Sequence, residues 1–172
     1  PAVAFNSQNA TYLVVWEDHH LGSGSEWYIY GRMVDSAGTP LGSAFAIANG
    51  NTNHRMNPSV AYNPTANEFL VVYEYEYGRD DRDIYGRLVS GLGVPLGGEV
   101  QLVTPSYLDA HPVVTYNFTD HEYLLVWQRH IVVDTPAHWD ILGVRLAPTP
   151  APLGSLISIA TGPTDESAPA LA

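Results

Sequence analysis

The chain has 172 residues, the size of one domain, with 45% apolar residues to build a core and only 15% charged. Eighteen acidic residues against seven basic ones leave a net charge of −11, which argues against binding nucleic acid or anionic membranes. It has neither cysteine nor lysine, so thiol catalysis, disulfides, cysteine-ligated metals, P-loops and Schiff-base chemistry are excluded, and no apolar run approaches the roughly 18 residues of a membrane span.

The first predicted strand lies within Pro1-Ala2-Val3-Ala4-Phe5-Asn6, and a polar turn at 7–10 separates it from a second, Tyr12-Leu13-Val14-Val15-Trp16. A third strand is built on Ile29-Tyr30-Gly31 with Arg32 behind it. A turn at 35–39 leads through Pro40-Leu41-Gly42 into a fourth, residues 43–47. The same four elements then recur. Pro58-Ser59-Val60-Ala61-Tyr62-Asn63, Phe69-Leu70-Val71-Val72-Tyr73, Ile84-Tyr85-Gly86 and Pro95-Leu96-Gly97 make a second set. Pro112-Val113-Val114-Thr115-Tyr116-Asn117, Tyr123-Leu124-Leu125-Val126-Trp127, Ile141-Leu142-Gly143 and Pro152-Leu153-Gly154 make a third. The leading prolines and the strand-two aromatics agree on offsets of 57 and then 54 residues, and Pro169-Ala170-Leu171-Ala172 opens a fourth copy. No segment carries helical apolar spacing. The expected fold is therefore all-β: three four-stranded antiparallel propeller-like blades at 1–57, 58–111 and 112–168, with 169–172 starting another. Closed propellers have about 4–8 blades, so three imply a half or partial ring, completed by a second copy, a filament or the rest of a longer chain.

The motifs P-x-V-A-Y-N, Y-L-V-V-W, D-I-Y-G-x-R and P-L-G resemble a β-propeller-type repeat of large secreted or cell-surface bacterial proteins, over nearly the whole chain. The resemblance implies propeller blades and an extracellular or cell-surface location, and carries no assigned activity. The third copy departs from it, because Arg145 stands one residue later than Arg32 and Arg87. Such a slip turns a strand side chain to the opposite face, so the three arginines are not one set.

Long connections are expected at 17–26, 74–83 and 128–140 and between successive repeats, all at one end of the sheets, where binding usually sits. Thirteen of the eighteen acids fall in these segments. Within them Trp27, Tyr75, Tyr77, Tyr107, Trp139, His19 and His20 are candidate ligand contacts, the aromatic rings suiting a glycan. Asp80, Asp81 and Asp83 are the candidate hard-cation site, suited to calcium but without the D-x-D-x-D-G spacing of an EF-hand. Trp16, Tyr73 and Trp127 read as core. With no G-x-S-x-G and no marked triad, the expectation is a non-catalytic, self-associating assembly module and not an enzyme. A glycan-binding face is the alternative, and a propeller glycosidase with paired carboxylates a third reading.

Overall fold

The computed structural model describes residues 1–19, 26–50, 53–78, 81–103, 107–133 and 136–172. Within them the chain is all-β. Four strands, β1 (Ala2–Asn6), β2 (Thr11–His19), β3 (Trp27–Asp35) and β4 (Pro40–Ala48), form an antiparallel meander. A second meander follows in β5 (His54–Asn63), β6 (Glu68–Gly78), β7 (Asp81–Ser90) and β8 (Pro95–Gln101), and a third in β9 (Leu108–Asn117), β10 (Glu122–Ile131), β11 (His138–Leu146) and β12 (Pro152–Ala160).

The expectation of three separate four-stranded sheets is met only in part. The strands make one four-stranded and one eight-stranded sheet, because β9 pairs in parallel with β7. A single residue pair, Arg82 with Leu108, makes that junction. The expected long connections also need correction. Strand β2 runs on to His19, β6 to Gly78 and β10 to Ile131. Most residues assigned to loops there are in paired strands.

Recurrent residues explain recurrent geometry. Asn6, Asn63 and Asn117 each end a first strand, and each side-chain oxygen accepts two backbone N–H groups of the following turn, at 2.9–3.3 Å. That is the local bond for which turns favour asparagine. Gly42, Gly97 and Gly154 take positive φ inside bulges where the third and fourth strands change register. Arg32 and Arg87 donate to the carbonyls of Gly42 and Gly97 at 2.7 and 2.8 Å. In the third meander Val144, buried, occupies that register position. Arg145 instead faces Glu122, its Nε 2.5 Å from the carboxylate.

Strand β6 is apolar on both faces because it is covered on both. Phe69, Val71 and Tyr73 join Leu13, Val15, Ile29 and Ile47 in one core. Leu70 and Val72 join Tyr123, Leu125 and Trp127 in the other. The middle meander thus offers the second and fourth residues of its central run to the third meander, and the first, third and fifth to the first. Gly31 and Gly86 leave room for this, since a Cβ there would come within 2.7 and 2.8 Å of Ile47 and Leu102. The first strands β1, β5 and β9 lie side by side. Among the described residues no helix is long and apolar enough to cross a membrane.

Candidate functional site

The proline that opens each copy sets up the site. Proline has no N–H to give to a ladder, so a strand interior tolerates it only at a bulge or edge. Strand β5 changes register between Met56 and Ser59, and β10 between Val126 and Gln128, so Asn57-Pro58 and His111-Pro112 stand in bulges. The residue before each proline is left-handed: Asn57 at φ 51°, His111 at 52° and Ala168 at 56°. Asparagine and histidine are among the non-glycine types enriched in that conformation.

The backbone N–H released by each bulge is caught by the preceding meander, from the residue just after its strand-two aromatic. Glu17 Oε2 accepts from Asn57 N at 3.0 Å, Glu74 Oε1 from His111 N at 2.8 Å, and Gln128 Oε1 from Ala168 N at 3.1 Å. Glu74 does more. It is fully buried, also accepts from Asn57 Nδ2 at 2.6 Å, and pairs with Arg82 Nη1 at 3.2 Å. These bonds link Glu17, Asn57, Glu74 and His111 into one chain of polar groups.

Above it opens a cavity of about 400 Å³ where the first strands begin, lined by residues 1–2, 57–59, 111–113 and 168–169 and by Glu17. Glu17 and His111, both exposed, line it, as does Ser59, whose Oγ accepts from Val114 N at 3.2 Å. Proline rings and Val113 supply apolar walls. A concave space with a few convergent polar groups is what a small polar ligand requires.

The sequence-derived candidates do not converge on this cavity. His19 and Trp27 face each other across β2 and β3, rings 4.8 Å apart. Trp139 does the same with His130 across β11 and β10, also at 4.8 Å. Tyr75 and Tyr77 stack on β6 at 4.7 Å, with Tyr85 4.6 Å from Tyr75 and Arg55 lying over Tyr75 at 4.5 Å. Tyr107 covers Arg129 at 4.4 Å. His20 and Asp80 lie outside the described residues. Asp81 is exposed on β7, whereas Asp83 is fully buried, its Oδ2 accepting from Gln101 Nε2 at 2.8 Å. Burial, with Asp81 and Asp109 close by, raises the Asp83 pKa to about 6. Among the described residues no group of three or more histidine, aspartate and glutamate side chains is placed to hold a metal ion. Glu17, Asn57, Ser59 and His111 were not singled out as ligand contacts by sequence. The signal available was the residue before each repeated proline, matched to the acid or amide after each aromatic.

No family model matches the chain, and no curated protein does. Solved structures do. A Hadza microbial sialidase superposes with a TM-score of 0.61 at 11% identity, covering 83% of this chain and 34% of its own. An N-acetylgalactosamine deacetylase from F. plautii, solved with blood group B trisaccharide, gives 0.61 at 12% identity, covering 87% and 49%. A thermostable family-43 glycoside hydrolase gives 0.60 at 14%, covering 96% and 58%. The chain thus spans between about a third and three-fifths of the length of these proteins, and the likeness is one of fold, all-β and β-propeller-like. It corrects two expectations. All three of these structural neighbours are carbohydrate-active enzymes and none is an assembly module. The non-catalytic, self-associating reading and the expectation of no enzyme both fall on that finding.

Proposed function

We propose that this chain supplies part of a carbohydrate-active propeller and that its share of the work is to recognise glycan hydroxyls in the cavity at the start of the first strands. The observation that carries the reading is the cavity itself, about 400 Å³ in this fold, with Glu17, Ser59 and His111 among its lining residues. A carboxylate accepts from sugar hydroxyls, and an imidazole and a hydroxyl both donate and accept. Hydrolysis by a carboxylate pair needs two such groups. Among the described lining residues Glu17 is the one carboxylate, so the role assigned to the cavity is recognition.

In this reading the three meanders are successive blades, and the flanks support a ring with more blades than three. Tyr12, Val14 and Trp16 are half-buried, whereas their counterparts Phe69, Val71 and Tyr73 are fully buried. A further sheet on that side would cover them in the same way. The resemblance to repeats of secreted bacterial proteins supports an extracellular or cell-surface location.

Calorimetric titration with a panel of neutral oligosaccharides tests the proposal. For any that bind, Glu17→Gln and His111→Asn are expected to weaken affinity by roughly tenfold each, the cost of about one charged or well-placed hydrogen bond. Glutamine keeps the acceptor for Asn57 N, and asparagine tolerates the left-handed backbone, so both variants should melt within about 2 °C of the parent. Full affinity in both variants would remove the cavity from the account.

A further inference from the structure

We infer that the cross-strand pairs His19–Trp27 and His130–Trp139 are two equivalent shelves that stack the rings of an uncharged glycan, outside the cavity. The inference rests on the carbohydrate reading and extends it to a second kind of site. Both pairs occupy one register position: His19 is three residues after Trp16 and pairs with Trp27, and His130 is three after Trp127 and pairs with Trp139. Their rings share one geometry, 4.8 Å apart at 35° and 32°. The middle meander holds the Glu76–Arg82 ion pair at this position instead, at 3.2 Å, so the shelves skip one repeat.

The backbone N–H of each tryptophan is held by a side chain from further along the chain. Trp27 N donates to His54 Nδ1 at 3.2 Å, and Trp139 N donates to Asp165 Oδ1 at 3.1 Å. Rigid placement lowers the ordering cost of binding. Neither pair belongs to the apolar cores. Trp27, Trp139 and His130 are half-buried and His19 is exposed, unlike Trp127, which is fully buried with its indole N–H bonded to Asp109 at 2.9 Å. An amphipathic ring left half-wet on a stiff strand presents an apolar surface beside a polar edge. The C–H face of a pyranose and its hydroxyls match both.

Charge narrows the ligand. Glu17 and Asp18 precede His19, Glu26 precedes Trp27, and Asp140 and Asp165 adjoin Trp139, in a chain of net charge −11. Sulfated or uronic-acid polymers are repelled by that field, so the shelves fit neutral sugars. Two shelves on one rigid chain would bind a polymer more tightly than a single sugar, through effective concentration. Both stand two residues along their strands from a clamp residue, His19 from Glu17 and His130 from Gln128, and so open at the same end of the sheets as the cavity.

The test is affinity electrophoresis of the chain through gels holding neutral polysaccharides, with a sulfated and a polyuronic polymer as controls. Trp27→Ala and Trp139→Ala should each reduce retardation, and the double variant should reduce it by roughly tenfold or more, while Leu92→Ala, at an exposed turn outside both sites, is retarded like the parent. The anionic polymers should not retard the parent. If substitution unfolds the chain, the parent's indole N–H resonances decide: saturating neutral oligosaccharide should move those of Trp27 and Trp139 and leave Trp127 in place. Parental retardation of a folded double variant, stationary Trp27 and Trp139 signals, or stronger retardation by the anionic polymers would overturn the shelves. Loss in Glu17→Gln alone would do so too and leave the cavity reading standing. No retardation of the parent in any neutral gel, with no oligosaccharide bound in solution, would remove both.

Discussion

Asp83 is the side chain with most at stake in its ionisation. It is fully buried, Gln101 bonds one oxygen, and the other, Oδ1, has no hydrogen-bond partner among the described residues. Its neighbour Asp109 has already taken the local cation. Arg129 donates to both Asp109 oxygens at 2.7 and 2.8 Å, and Trp127 adds a third bond. Desolvation first, then the nearby Asp81 and Asp109 charges, raise the Asp83 pKa from 3.8 to about 6. A raised acid favours the folded state while protonated. Its contribution is therefore full below about pH 4 and is lost as pH climbs through about 6. Asp83→Asn keeps the shape and removes the ionisation. We expect it to match the parent's melting temperature at pH 4 and to exceed it by roughly 6 °C or more at pH 8. A melting-temperature difference that stays constant from pH 4 to 8 would show that Asp83 does not titrate in this window. The same chemistry bears on the Asp80, Asp81 and Asp83 run expected as a cation site. Of the two described members, one faces solvent and the other is buried against a glutamine. Sequence proximity cannot separate strand faces from burial.

Elements are held together by the clamps between meanders, and these are unequal. Glu74 satisfies His111 N, Asn57 Nδ2 and Arg82 from a fully buried position, whereas Gln128 accepts only from Ala168 N. Glu74→Ala leaves His111 N and Asn57 Nδ2 without their acceptor and takes from Arg82 one of its two carboxylates, and should cost about 3 kcal/mol. Gln128→Ala should cost about 1 kcal/mol, the net worth of one ordinary hydrogen bond. Urea unfolding of the two variants reads the order directly, and equal losses would mean that the clamp is not what Glu74 contributes. Much of this scale was legible in the sequence. Repeated Asn, Pro-Leu-Gly and Ile-x-Gly marked the turns and strands of each copy, while the bulges and close approaches that those glycines serve show only in the structure. The one-residue slip of Arg145 set it apart from Arg32 and Arg87, and in the structure it pairs with Glu122. Strand ends were misread for a physical reason. The outer parts of β2, β6 and β10 carry charged and aromatic residues that look like loop composition, yet their backbones stay paired through His19, Gly78 and Ile131. The clamp was visible only in outline, since Glu17, Glu74 and Gln128 align by offset but their acceptor role depends on a bulge geometry that spacing does not reveal.

The whole molecule carries its charge unevenly, and that has a measurable consequence. Its apolar sharing is regular: the middle meander is covered on both sides, and the outer two on one. Its electrostatics are not. Among the described residues four arginines are committed to specific carboxylates, Arg55 to Glu99, Arg82 to Glu74 and Glu76, Arg129 to Asp109 and Arg145 to Glu122. Arg32 and Arg87 spend their guanidinium groups on backbone carbonyls. Little positive charge is left to offset an excess of eleven negative charges, so the exposed acids repel one another in the compact state. That repulsion is spread over the surface and is screened within about 8–10 Å at physiological ionic strength, while the buried pairs are screened far less. Salt should therefore stabilise this protein. The melting temperature at pH 7.5 should rise by a few degrees between 10 and 150 mM sodium chloride, and most of the gain should be complete by then, as the Debye length falls from about 30 to about 8 Å. A fall in melting temperature over that interval would mean that surface ion pairs, and not the uncompensated acids, dominate the field. The interval below 150 mM separates this effect from the general strengthening of apolar burial by concentrated salts.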